Sequence, residues 1–94
     1  MTDDELVAAF RDATLAHLPH RLHVRLAWIY LEAQPHDAAL ARFAGDLQRY
    51  AAAHGAAGKY SDAITRAWMA RIDARRGPRT WDEFAAANAD LLAR

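Results

Sequence analysis

Large apolar residues recur three or four positions apart through most of the chain, which is the period of an α-helix. β-Branched residues are few, and no segment alternates apolar and polar residues for long enough to form a strand. The segments that connect the apolar stretches are short. The pattern therefore predicts an all-α fold, a compact bundle of about five helices, in a single domain that spans residues 1–94.

The first and last helices are each predicted to begin at a capping box. Thr2 and Thr80 are both followed three positions later by a glutamate, the spacing at which the two side chains bond each other's backbone N–H groups. The first helix is expected to continue to Pro19, which ends it and starts the next. The last is expected to be one short helix that carries Asn88 and Leu91.

Three further helices are predicted between these two. The second covers residues 20 to about 33, and the third covers about 37 to 53 and ends at a glycine. Ser61 caps a fourth helix, which ends before Gly77. The apolar stripe of this fourth helix is predicted to consist of Ile64, Trp68 and Ile72.

Composition narrows the classes of function. Twelve Lys and Arg residues balance twelve Asp and Glu residues, so no overall field favours nucleic acid or an anionic membrane surface. The chain has no cysteine, which excludes disulfides and cysteine nucleophiles. The acidic start lacks the apolar run of a signal peptide, so we expect none, and the longest apolar run is far shorter than the roughly 20 residues of a membrane span. We therefore expect a cytoplasmic protein with neither a membrane nor nucleic acid as its partner.

The second helix contains the first candidate site. A helical projection places His20 and His23 around the small residue Ala27, with Tyr30 beside them. A small residue flanked by two imidazoles and a phenol leaves room for a ligand, so the projection indicates a pocket. In the alternative interpretation both histidines are packed, hydrogen-bonded structural residues, and the sequence leaves the two interpretations open.

The same two histidines raise the question of a metal ion. Histidines three positions apart on a helix can share a metal, but a catalytic zinc site normally has a third protein ligand. His17 and Asp62 qualify only if the fold brings them close. We therefore predict neither a metal ion nor another cofactor.

The loop before the fourth helix contains the second candidate site. Gly58 and Lys59 superficially resemble part of a phosphate-binding loop, but the spacing is wrong and no strand precedes them. Lys59 and the free N–H groups at the start of a helix remain candidates for binding a carboxylate or a phosphate. The hydroxyl-bearing residues near them are Tyr60, Ser61 and Thr65. Alternatively, the segment is only a glycine turn followed by a serine cap.

The two candidate segments resemble a family of small, uncharacterised bacterial helical proteins. The resemblance is carried by Leu-Pro-His-Arg-Leu-His at residues 18–23, Ala-Trp-Ile-Tyr-Leu at 27–31, Lys-Tyr at 59–60, Ile-Thr at 64–65 and Ala-Trp at 67–68. It extends over about residues 18–92. It implies that the two segments face each other across one site, with Lys59, Tyr60 and Thr65 near His20 and His23.

Two positions depart from the family pattern. Ser61 stands where the family has a histidine, and Ala63 stands where it has a threonine. If a third imidazole belongs to a metal or acid–base site in the family, this chain lacks it. The resemblance therefore indicates where a site lies more than which chemistry it performs.

Together these patterns predict a protein that binds a small polar or anionic molecule between the second helix and the start of the fourth. The histidines would hydrogen-bond the ligand, and Lys59 would neutralise its charge. The residues expected to line the site are His20, His23, Tyr30, Lys59, Tyr60, Ser61, Thr65 and Trp68. Two alternatives stay open: a small enzyme that uses His20 and His23 for acid–base or metal-assisted chemistry, and a helical interaction or homodimerisation module.

Overall fold

A computed structural model describes residues 1–93, which form six α-helices and one 3₁₀ turn and contain no strand. The helices are α1 (Asp3–Arg11), α2 (His20–Ala33), α3 (His36–Ala53), α4 (Asp62–Arg76), α5 (Trp81–Ala87) and α6 (Ala89–Leu92), and the 3₁₀ turn is Ala57–Lys59. The all-α fold predicted from the hydrophobic pattern is confirmed. Within residues 1–93, every helix falls short of the length and apolar character that a membrane span requires.

Side-chain caps start three of the helices where the sequence predicts them. The Thr2 hydroxyl accepts a hydrogen bond from the Glu5 N–H at 3.1 Å, and the Glu5 carboxylate accepts one from the Thr2 N–H at 2.8 Å. Thr80 and Glu83 form the same reciprocal pair. Ser61 caps α4 by accepting from the Ile64 N–H. Each cap satisfies N–H groups that the helix itself leaves without partners.

The first helix ends eight residues earlier than predicted, at Arg11 rather than at Pro19. Ala13 adopts a left-handed conformation with φ of 59°, which turns the chain away from the helix axis. The backbone N–H groups of Thr14 and Leu15 then both donate to the Ala9 carbonyl. Left-handed C-caps are usually glycine, so an alanine at this position gives no signal in the sequence.

Substitution of Ala13 by glycine is expected to stabilise the protein by about 0.5 kcal/mol. The left-handed conformation costs an alanine about 1–2 kcal/mol, and the greater freedom of glycine in the unfolded chain offsets about 0.4–1 kcal/mol of that gain. Urea-induced unfolding measures the change. Ala16→Gly, three residues along and outside any helix, is the control and is expected to destabilise slightly. Destabilisation by Ala13→Gly equal to that of Ala16→Gly would contradict the strain argument.

Helix α2 lies at the centre of the bundle and packs against α1, α3, α4 and α6. Its buried side chains face several directions, and they are Val24, Leu26, Ala27, Trp28, Tyr30 and Leu31. Phe10 of α1 and Phe43 of α3 stack against each other beside it, with ring centroids 5.8 Å apart. Because α2 is covered on most sides, its side chains contact several helices. Both cavities described below are lined in part by residues of α2.

Helix α4 faces the core differently from the prediction. Its buried residues are Thr65, Met69 and Ile72, and Trp68 is half-buried. Ile64 is 60% exposed, so the predicted apolar stripe is wrong at that position. The predicted last helix is also interrupted, because the Asn88 side chain donates to the Phe84 carbonyl and the chain leaves helical geometry there. The result is α5 followed by the single turn α6.

An ionic network fixes the C-terminal half of α4 to its neighbours. His36 Nδ1 at the start of α3 lies 2.8 Å from an oxygen of Asp73, and Arg76 binds both Asp73 and Glu32 of α2. Burial raises the pKa of Asp73, but the hydrogen bonds from His36 and Arg76 outweigh it, so the net effect lowers the pKa. The network holds α2 and α4 together at the end opposite the first turn of α4.

Candidate functional site

His20 and His23 both lie in the first turn of α2 and point toward different neighbours. His20 Nε2 donates to the Leu91 carbonyl at 2.7 Å, which ties the start of α2 to α6. The edge of the His20 ring packs against Trp68, with the centroids 5.0 Å apart. The His23 ring lies 5.6 Å from that of Phe43. His20 is therefore a structural link as well as a wall residue, and its Nε2 proton is already used.

Between α2 and α4 lies an inner cavity of about 80 Å³. Aliphatic and aromatic side chains of α2, α3 and α4 form most of its walls. The lining residues are His20, His23, Val24, Ala27, Phe43, Ile64, Thr65, Trp68, Met69 and Ile72. Ala27 is 2% exposed, and its small side chain leaves the space that a larger residue at this position of α2 would fill.

A larger outer cavity of about 430 Å³ adjoins it, bounded by α3, the 3₁₀ turn and the first turn of α4. Its lining residues are Leu18, His23, Leu47, Tyr50, Ala51, His54, Ala56, Lys59, Tyr60, Ser61, Ile64 and Thr65. His23, Ile64 and Thr65 line both cavities and form the boundary between them. The two cavities are thus neighbouring chambers of one concave region.

Seven of the eight predicted site residues line this region. The inner cavity contains His20, His23, Thr65 and Trp68, and the outer cavity contains Lys59, Tyr60 and Ser61 together with His23 and Thr65. The fold therefore brings the start of α2 and the loop before α4 together, although 35 or more residues separate them in the chain.

The outer cavity is lined by a cation, Lys59, and by no anionic side chain of residues 1–93. Lys59 makes no ion pair with any residue in 1–93, and no Asp or Glu lines either chamber. The nearest acidic neighbour in sequence, Asp62, accepts hydrogen bonds from Arg66 at 2.6 Å and from the Tyr60 hydroxyl at 3.2 Å. The hydrogen bond from Arg66 lowers the pKa of Asp62. The charge of Asp62 is therefore matched by Arg66, and Lys59 is an exposed cation that has no ion-pair partner in residues 1–93.

One wall of the outer cavity is formed by His54, which the sequence pattern identifies only as the end of a helix. The His54 ring stacks on Tyr50 with centroids 4.2 Å apart, and His54 Nε2 donates to the Ala13 carbonyl at 3.2 Å. The Tyr50 hydroxyl donates to the Leu15 carbonyl at 2.8 Å. These contacts hold the segment after α1 against the end of α3. A histidine just before the glycine of a helix end, five positions from a lysine, was the available signal.

Tyr30 is the predicted site residue that lies elsewhere. Its hydroxyl donates to a carboxylate oxygen of Asp46 at 2.7 Å, and its side chain borders a separate cavity of about 230 Å³ with Arg11 and Arg42. Burial raises the pKa of the Tyr30 phenol strongly, and the hydrogen bond to Asp46 and its charge raise it further. The expectation that Tyr30 lines the same pocket as the histidines is therefore not met, because its side chain is directed to α3.

Comparison of the chain with protein-family models, with curated proteins and with solved structures gives no match. The resemblance to the small bacterial helical family consequently stays a prediction. Among residues 1–93, no group of three or more His, Asp or Glu side chains is arranged to hold a metal ion.

Proposed function

We propose that the protein binds a small anionic molecule where α2 meets the start of α4, with Lys59 as the counter-charge. One observation supports this most directly: two adjoining chambers open next to a lysine that has no ionic partner in residues 1–93, and no carboxylate lines them. Binding sites for small molecules are typically concave and mostly apolar, with a few polar groups that fix orientation. The arrangement fits that description.

Three further groups favour an anion in the outer chamber. The Ser61 oxygen accepts from the Ile64 N–H, so the hydroxyl hydrogen of Ser61 is available to donate to a ligand. The first turn of α4 carries the partial positive charge of a helix N-terminus. His23 borders both chambers and is placed to touch a ligand that occupies either. In this proposal His20 acts as a wall, because its Nε2 proton is given to Leu91.

The two other functions considered for the chain have less support. Acid–base catalysis by His20 would require it to exchange a proton while it bonds Leu91, and neither chamber offers His20 or His23 a carboxylate that would orient the imidazole. A homodimer needs an apolar face, and in residues 1–93 the exposed large apolar side chains are Met1 and Ile64. Small-molecule binding is therefore the function we put forward.

The test is a titration of ¹⁵N-labelled protein with acetate and, separately, with inorganic phosphate. We expect at least one anion to shift the amide signals of the 3₁₀ turn and of the first turn of α4 in the millimolar range. Lys59→Ala is expected to weaken binding about tenfold, because a charge-assisted hydrogen bond of about 1.5 kcal/mol is lost.

Two variants serve as controls. Lys59→Arg keeps the positive charge and is expected to bind within about threefold of the unmodified protein. Arg49→Ala removes an exposed cation that lines neither chamber, so its binding should be unchanged. The proposal is refuted if neither anion shifts these signals, or if Lys59→Ala binds as tightly as Lys59→Arg.

A further inference from the structure

The inner chamber limits the size and polarity of the part of the ligand that does not contact Lys59. Resting on the proposed function, we infer that the ligand is a short aliphatic monocarboxylate whose carboxylate lies near Lys59 and whose alkyl tail enters the inner cavity. The argument depends on the chemistry of the inner walls, on their size and on the boundary between the chambers.

The inner walls favour an apolar group. Five of the side chains that form them are aliphatic or aromatic and at most 2% exposed: Val24, Ala27, Phe43, Met69 and Ile72. Two of the polar wall residues are already bonded within the protein. His20 donates to the Leu91 carbonyl, and the Thr65 hydroxyl donates to the Ser61 carbonyl at 2.9 Å. A polar ligand group placed here would lose its bonds to water, whereas an alkyl group would gain packing contacts.

The size of the inner chamber limits the tail. Its volume of about 80 Å³ corresponds to roughly three volumes of ~30 Å³, the share of one water molecule in the liquid. That space accommodates about three carbon atoms. An aromatic ring requires a cavity on the order of 150 Å³, so a benzoate-like ligand does not fit. The geometry therefore points to acids of about four or five carbons in total.

The boundary between the chambers allows one molecule to occupy both. Ile64 lines each chamber and is 60% exposed, so its side chain is not fixed by core packing on all sides. Moving it disturbs few buried contacts. An alkyl chain that passes Ile64 leaves its carboxylate on the side where Lys59 lies.

The experiment is a chain-length series on the unmodified protein, from acetate to hexanoate, followed by the indole N–H signal of Trp68 and the amide signal of Lys59. Each methylene that enters the inner chamber should tighten binding about fourfold, since its burial is worth about 0.8 kcal/mol. We expect the gain to continue to butanoate or pentanoate and then to stop. Benzoate should bind no more tightly than acetate, and butylamine, which has the tail without the negative charge, should not bind.

A variant that fills the inner chamber tests the placement of the tail. Ala27→Val adds two methyl groups to the wall, so the gain beyond propanoate should disappear while acetate binds within twofold of the unmodified protein. Ala67→Val makes the same change on an exposed face of α4 that lines neither chamber, and it should leave the whole series unchanged. If Ala27→Val does not fold, Val24→Ile, which adds one methylene to the same wall, replaces it.

The outcomes separate this inference from the proposed function. If acetate binds in a Lys59-dependent manner but longer acids bind no more tightly, the inference is overturned and the proposed function stands. The same holds if Ala27→Val leaves the chain-length gain intact. If no carboxylate or phosphate binds, or if binding does not depend on Lys59, the proposed function itself fails.

Discussion

Replacement of Phe10 by alanine is expected to lower the free energy of unfolding by about 3–5 kcal/mol, the usual cost of deleting a fully buried ring. The Phe10 side chain is completely buried and touches aromatic rings from three directions, with centroids 5.5 Å from Tyr50, 5.8 Å from Phe43 and 6.3 Å from Tyr30. A domain of this size is typically stable by about 5–10 kcal/mol, so the variant should lose a large part of its stability. Urea-induced unfolding followed by circular dichroism measures the change.

The matched control is Val7→Ala on the same helix. Val7 is half-buried and packs against the edge of the core, so its truncation should cost about 1 kcal/mol or less. The difference between the two variants isolates the ring cluster from any general weakening of α1. A cost below about 1.5 kcal/mol for Phe10→Ala would mean that α1 contributes little to the core.

Asp46→Ala is expected to destabilise the protein by about 2–4 kcal/mol, because it leaves the buried Tyr30 hydroxyl without its acceptor and removes two ion pairs. Asp46 is 3% exposed and accepts the hydrogen bond of Tyr30. It also forms ion pairs with the exposed side chains of Arg49 at 3.1 Å and Arg11 at 3.7 Å. Tyr30→Phe removes the hydroxyl donor, keeps both ion pairs and should cost about 1–2 kcal/mol. Thermal and urea unfolding of each variant provide the values.

A double-mutant cycle of Asp46→Ala and Tyr30→Phe tests the bond directly. Residues in contact show interaction energies of about 0.5–3 kcal/mol, so the double variant should be more stable than the sum of the single changes predicts. Asp37→Ala, an exposed carboxylate at the start of the same helix, is the control and should change stability by about 0.5 kcal/mol or less. Additive effects of the two substitutions would show that the Tyr30 hydroxyl does not depend on Asp46.

The fold was predictable where local chemistry decides the structure. The capping boxes at Thr2 and Thr80 and the serine cap at Ser61 begin helices as predicted, because a side chain bonding a nearby N–H depends on a few adjacent residues. The end of α1 was not predictable, because Ala13 is held in the left-handed conformation by tertiary packing rather than by its own preference. The side chain of Asn88, bonded to a preceding carbonyl, likewise interrupts a segment whose composition favours one continuous helix.

The location of the candidate site was predictable only in part. His20 and His23 share a helix turn, so the angular projection placed them correctly relative to Ala27. Tyr30 is buried on the same helix, which is covered on most sides, so its position on the helix does not specify which neighbour it contacts. Its hydroxyl bonds Asp46 of α3, and this partner fixes the direction of the side chain. His54 enters the site through the turn after α3, a path that hydrophobic periodicity does not describe.

The group proposed to hold the anion stands on a turn that contributes nothing to the buried core. Lys59 closes a three-residue 3₁₀ turn that contains no buried side chain, whereas the inner chamber is enclosed by α2, α3 and α4. Segments with few buried contacts open at a much lower free energy than core helices do. Local opening of this turn would therefore expose its amides to hydrogen exchange and release a bound molecule without global unfolding. If the proposed function holds, ligand exchange and the cooperative stability of the bundle are governed by different parts of the chain.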